Sequence, residues 1–131
     1  MNAILDASAL IAAWDKADKN HDWAVALLRK YPGPYLTSEF ALCEVAHMTG
    51  KDAEIMEGVR AGHFVFAGGL HEDAAAIQRV LFEYPNTSDI TDASIVVLSE
   101  KKRKLPVLTT DKRHFYSYRR VDKSALPLET P

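Results

Sequence analysis

An α/β fold with a central parallel sheet is the architecture this sequence predicts, and three observations predict it. Short apolar runs of strand length recur at residues 3–5, 35–37, 64–67, 107–109 and 118–121. Longer segments with helical periodicity separate most of them. No repeat, low-complexity stretch or linker interrupts the 131 residues, a normal length for one domain, so residues 1–131 are expected to form a single unit. Strands alternating with helices imply crossover units. Right-handed crossovers then put helices on both faces of a sheet of about five strands.

The elements follow in order. The first run, Ala3-Ile4-Leu5, ends on Asp6. Residues 8–14 read as a short helix with Ser8 as its cap. Residues 22–31 make a second helix, stopped by Pro32-Gly33-Pro34. Ser38 caps a third over 38–49, and Gly50 ends it. Residues 52–61 form the next, closed by Gly62. The pair Gly68-Gly69 reads as a strand-to-helix turn. Residues 71–84 then place Ile77, Val80, Leu81 and Tyr84 on one helical face. Residues 91–103 carry Ile95, Val96, Leu98 and Ser99 in mid-helix. The run Pro106-Val107-Leu108-Thr109-Thr110 leads directly into Asp111. The stretch 118–121 is expected to supply the fifth strand.

Bulk properties narrow the function classes. The hydrophobic content of 47% suffices for a core, and the formal net charge of −2 names no partner. The distribution is uneven: residues 1–100 hold 7 Lys and Arg against 15 Asp and Glu, and residues 101–131 hold 9 against 3. A basic tail suits an anionic partner, or forms a solvated basic face. Cys43 is the only cysteine, which excludes an internal disulfide and fits a reducing compartment. Its place in an apolar helical pattern predicts buried packing. No charged leader with a signal-type apolar core opens the sequence, and no run approaches the roughly 18 apolar residues of a membrane span. A cytoplasmic protein without membrane association is expected.

Four acids remote in sequence fall where such a fold gathers its chemistry. Asp6 and Asp111 each follow a strand at its carboxyl end, Asp92 lies in the first turn of a helix, and Glu44 lies within one. If the first and fourth strands flank a switch point, these side chains share one cleft. Carboxylates so gathered repel one another unless a cation holds them together. Hard oxygen ligands favour Mg²⁺ or Mn²⁺ over zinc, and such an ion suits attack on a phosphate ester by an activated water. Glu44 is informative because Phe40, Ala41, Val45 and Met48 around it look core-facing, and a carboxylate at a core boundary needs a partner. Asp89, three residues before Asp92, is a fifth candidate in a supporting role. Ser8 and Thr109 each stand two residues from an acid, placed to orient a carboxylate, a water or a phosphate oxygen. Taken singly, Asp6 and Asp111 also suit caps after strands, and Asp92 suits the positive end of a helix.

Rival constellations are less complete. Glu44-Val45-Ala46-His47 and Asp111-Lys112-Arg113-His114 are acid-x-x-His motifs of the kind di-iron bundles use, but the chain does not read as four long helices. An aspartyl phosphatase needs a second acid two residues after Asp6, where Ser8 stands. No Gly-rich phosphate loop with its Lys occurs.

Taken in order, the blocks Ile4-Leu5-Asp6-Ala7-Ser8-Ala9-Leu10, Asp89-Ile90-Thr91-Asp92-Ala93-Ser94-Ile95-Val96 and Leu108-Thr109-Thr110-Asp111-Lys112-Arg113-His114-Phe115, with Glu44 between, resemble the PIN-domain ribonucleases, especially the bacterial VapC-type toxins. The resemblance spans essentially the whole chain, with no matching motif across residues 51–69. It implies a parallel sheet flanked by helices. It implies Mg²⁺ or Mn²⁺ held at Asp6 and Asp92, with Glu44 and Asp111 completing the pocket. It further implies cleavage of tRNA, rRNA or mRNA, an inhibitory antitoxin protein and a homodimer. The expected activity is therefore a metal-dependent endoribonuclease. Lys112 and Arg113, with the basic stretch 101–104, are expected to hold RNA phosphates. A non-catalytic RNA- or protein-binding module and a structure-specific DNA nuclease are the alternatives.

Overall fold

The computed structural model describes residues 1–131. Five short strands, β1 (Ile4–Leu5), β2 (Tyr35–Leu36), β3 (Phe64–Val65), β4 (Val107–Leu108) and β5 (Leu128–Glu129), alternate with seven helices. These are α1 (Ala7–Trp14), α2 (His21–Lys30), α3 (Glu39–Thr49), α4 (Asp52–Arg60), α5 (Leu70–Glu83), α6 (Ile90–Lys101) and α7 (Lys112–Phe115). The sheet is parallel throughout, in the order β3-β2-β1-β4-β5. Its expected class is therefore the observed one.

The centre of the sheet is its most apolar part because it is covered on both faces. Ile4 sits in register with Leu36 on one side and Val107 on the other, and all three are fully buried. From β1 the chain steps outward to β2 and β3, then returns to β4 on the opposite flank. The order therefore reverses between β1 and β4, and the crevice at the carboxyl ends of those two strands is the switch point.

Local signals set the helix ends. Ser38 Oγ accepts the Ala41 N–H at 3.1 Å and starts α3, while Gly50, at φ 69°, ends it in the left-handed conformation that glycine adopts without strain. Helix α6 is buried continuously from Ala93 to Ser99 because it lies between the sheet and α5. Ser94 Oγ lies 2.8 Å from Ser38 Oγ, which ties the start of α6 to the start of α3.

The structure corrects three expectations. Residues 118–121 are not the fifth strand; only an isolated antiparallel bridge, Arg119 to Ala125, forms there, and β5 is Leu128–Glu129. The reason is Arg120. Its buried guanidinium donates from Nε and Nη2 to Ser99 Oγ at 3.2 and 3.0 Å, and from Nη2 to the Arg103 carbonyl at 2.7 Å. Those bonds pin residues 118–126 as a hairpin across the end of α6. Pairing with β4 passes to the Pro127 and Glu129 carbonyls, which accept from the Val107 and Thr109 N–H groups. Cys43 is exposed rather than buried, since α3 turns only Ala41, Leu42 and Val45 inward. Met48 is likewise 63% exposed, whereas Phe40 is half-buried and packs against the core as expected.

Arg120 has no carboxylate within ion-pair distance, so its removal strands Ser99 and the Arg103 carbonyl without leaving an unpaired acid. Arg120→Ala is expected to lower stability by about 2–3 kcal/mol in urea unfolding, through lost hydrogen bonds and packing. Lys102→Ala, at an exposed site, should stay within about 0.5 kcal/mol of the parent. Equal stabilities for the two variants would contradict the anchoring role.

Candidate active site

The crevice at the switch point is built on Asp6. It follows β1 immediately, is only 5% exposed, and forms the extended N-cap position of α1. Its side chain makes no capping bond; two hydroxyls hold it instead. Ser8 Oγ donates to Asp6 Oδ2 at 2.7 Å and Thr109 Oγ1 donates to the same oxygen at 2.8 Å. The hydroxyls are free to donate there because each accepts elsewhere: Ser8 Oγ from the Thr110 N–H and Thr109 Oγ1 from the Asp111 N–H, both at 3.0 Å. The chain leaving β4 is thus stitched to the chain leaving β1. Ser8 is therefore not the cap of α1; it lies inside the helix, turned back onto Asp6.

Asp92 reaches the same mouth from the first turn of α6. Asp89 caps that helix, with Oδ1 accepting the Asp92 N–H at 2.8 Å. Tyr118, fully buried, donates its hydroxyl to Asp92 Oδ2 at 2.6 Å. The sequence reading missed Tyr118 because it lay in a run taken for strand. A tyrosine in an apolar run is nonetheless a signal, since a buried phenol needs a polar partner.

Asp111 caps α7, accepting the His114 N–H at Oδ1 (3.2 Å), with His114 Nδ1 3.0 Å from its Oδ2. Glu44 projects from the exposed side of α3, near enough to Asp6 and Asp89 to be acted on by their charges. The expected burial of Glu44 is not found; it is a rim group, not a core-boundary one.

Electrostatics shows that these acids share one neighbourhood. Burial pushes the Asp6 carboxyl up; the two hydroxyls oppose this, and Asp111 adds to it. Asp92 is pushed up to about 7, chiefly by burial; the Tyr118 bond opposes the rise, and the charges of Asp89, Asp6 and Asp111 add to it. Glu44 is raised by partial desolvation, then by Asp6 and Asp89. None of Asp6, Glu44, Asp89 and Asp92 has a Lys, Arg or His within ion-pair distance.

That unbalanced charge fits a hard cation, and every donor is an oxygen. No three His, Cys, Asp or Glu side chains stand close enough to enclose an ion by themselves. An all-oxygen donor set without three clustered ligands matches an ion that takes one or two carboxylates and keeps several waters, as Mg²⁺ does, and not a closed four-ligand site of the structural zinc kind.

The basic residues divide into two groups. Lys112 and Arg113 open α7 directly after Asp111, exposed and without ion pairs. The stretch 101–104 does not line the mouth. It stands at the far end of α6, where Lys101 lies nine residues beyond Asp92, roughly 14 Å at the helical rise. Two of its cations are also engaged, Lys101 with Asp73 and Arg103 with Asp122, each at 2.7 Å.

Known proteins share the family signature and the fold of this chain. The PIN domain family matches residues 3–122. The chain is 28% identical over 125 residues to Ribonuclease VapC26 of Mycobacterium tuberculosis, covering 90% of this chain and 93% of that protein. Its fold is similar to that of a chain in a toxin–antitoxin complex from Klebsiella pneumoniae, with a TM-score of 0.64 and 20% identity, covering 88% of this chain and 91% of that one.

A carboxyl raised by folding favours the folded state only while protonated. For Asp92 that contribution is complete below about pH 4 and is lost as pH rises toward about 7. Asp122, lowered to about 2, and Glu129, also lowered, act in the opposite sense, and their effect is finished below the ordinary carboxylate range. In EDTA, the Tm advantage of Asp92→Asn over the parent should therefore grow from pH 4.5 to pH 7.5. Parallel Tm curves across that range would contradict the assignment.

Proposed function

Because the chain belongs to the PIN domain family, we propose that it is a metal-dependent endoribonuclease, one nuclease unit over residues 1–131, acting as the toxin of a toxin–antitoxin pair. The observation that carries this reading is the buried Asp6, surrounded by Glu44, Asp92 and Asp111 and lacking any cationic side chain to balance it. The similarity to Ribonuclease VapC26 supports RNA as the substrate, and the similarity to a chain of a toxin–antitoxin complex supports an antitoxin protein as partner. A homodimer and a cytoplasmic location belong to the same reading; no helix is long and apolar enough to cross a membrane.

In this reading Asp6 and Asp92 are the principal ligands of Mg²⁺ or Mn²⁺. When bound, the ion supplies a water of lowered pKa and neutralises charge developing on the phosphate. Ser8 and Thr109 fix the plane of the Asp6 carboxylate by donating to one of its oxygens. Asp89 holds the backbone of Asp92 in the first turn of α6. Glu44 and Asp111 border the mouth from the other sides and orient water there. Lys112 and Arg113 neutralise phosphates beside the scissile one, which suits a single-stranded loop whose bases splay away from the protein.

Asp6→Asn is expected to lower Mg²⁺- or Mn²⁺-dependent RNA cleavage by about a thousandfold, the equivalent of several kcal/mol of lost charge stabilisation, with an unchanged circular dichroism spectrum. Full activity in the variant, or equal activity of the parent in EDTA, would overturn the proposal. A parallel single-stranded DNA substrate separates RNA from DNA cleavage. Lys112→Ala and Arg113→Ala should weaken RNA binding across sequences. Each should also reduce the slope of log affinity against log salt by about 0.7. An unchanged salt slope in both would remove them from the RNA path.

A further inference from the structure

Tyr118 is a fully buried side chain that bonds directly to Asp92, as the buried Thr109 bonds to Asp6. Its ring is fixed by edge-on contacts with Tyr84 and Phe115, at centroid separations of 5.0 and 5.2 Å. Its hydroxyl carries a single hydrogen and faces two acceptors, Asp92 Oδ2 at 2.6 Å and the Thr87 carbonyl at 3.1 Å. The shorter contact, to a carboxylate, is the stronger one. Asp92 Oδ1 accepts from no group of the protein, so the phenol occupies one oxygen and leaves the other without a protein donor. Asp6 is treated in the same way, with both hydroxyls on Oδ2.

We infer that Tyr118 is a positioning residue for the cation site, holding Asp92 through Oδ2 so that its second oxygen is the one presented to a divalent ion. The inference rests on the metal-dependent reading above. Its cause is geometric. The Asp89 bond fixes the backbone of Asp92 but leaves its side-chain torsions free, and only the phenol restrains them. Tyr118 is itself placed by the hairpin that Arg120 anchors, so the segment 118–126 contributes to the site from outside the sheet. Partners of this kind orient ligands, and their loss costs about 10–100-fold in metal affinity.

The test measures Mn²⁺ binding by the full chain, without RNA, from the electron paramagnetic resonance signal of free Mn²⁺. Tyr118→Phe keeps the ring and removes only the hydroxyl. It is expected to bind Mn²⁺ about 10–100-fold more weakly. Cleavage should be recovered by raising Mn²⁺, with KM for RNA unchanged. Tyr84→Phe is the control for packing: it loses the hydroxyl that accepts the Arg119 N–H but touches no carboxylate, and should keep parental affinity within about twofold. Parental affinity in Tyr118→Phe, or equal weakening in both variants, would overturn the inference. Absence of Mn²⁺ binding by the parent would overturn the metal reading along with it. A second measurement needs no substitution: the ¹³Cζ resonance of Tyr118 in the parent should shift on saturation with Mg²⁺, and a resonance that stays in place while Mg²⁺ binds overturns the inference.

Discussion

A buried carboxylate with no cation to balance it sets the terms for the rest of this molecule. Asp6 cannot move outward, because it follows the central strand of a sheet covered on both faces. It cannot pair with Lys or Arg, because none lies within reach. Burial of this kind is costly unless hydrogen bonds or a bound ion offset it. Two hydroxyls meet part of the demand at one oxygen. Neighbouring acids make the imbalance larger: Asp111 helps to raise Asp6, and Asp6 and Asp89 help to raise both Glu44 and Asp92.

The fold explains why the acids converge although Asp6 and Asp111 stand 105 positions apart in the sequence. Reversal of strand order at β1 opens a crevice that only elements ending or starting at that edge can reach. Asp6 and Asp111 arrive at strand ends, Asp92 at a helix start, and Glu44 on a helix tied to that start through Ser38 and Ser94. Backbone N–H groups leaving β4 feed the hydroxyls that hold Asp6, so the pairing of β4 with β1 and the posture of the acid are one structural fact. A disturbance of that pairing would reach the site before it reached the core.

Much of this was legible in the residues, for identifiable reasons. Strand and helix periods differ enough that Ile4-Leu5 and Val107-Leu108 read as strands between helices, and Ser38 and Gly50 marked both ends of α3. The acids stood out because strand ends and helix starts are where this architecture collects polar groups. What failed depended on long-range contacts. Tyr118 to Val121 has strand-like composition, yet a buried Arg120 bonded to Ser99 overrides that local preference. Ser8 has cap chemistry, yet Asp6 lies nearer its hydroxyl than any free N–H that needs capping. Cys43 falls in an apolar pattern, but the inward stripe of α3 runs through Ala41, Leu42 and Val45 and leaves Cys43 on the outer side. Lys101 and Arg103 read as free cations because Asp73 and Asp122, remote in sequence, could not be paired with them by pattern.

The basic residues then divide by geometry. Lys112 and Arg113 follow Asp111 at the edge that holds it, because α7 begins where β4 ends. A polyanion would meet positive charge beside the mouth and negative charge within it, an arrangement that a cation between phosphate and carboxylate would balance. The most direct test is anomalous scattering from crystals grown with Mn²⁺. A peak about 2.1 Å from oxygens of Asp6 and Asp92 is the expected result. Ordered Mn²⁺ only at other surfaces, with this mouth empty at saturating metal, would contradict a cation-held acidic centre.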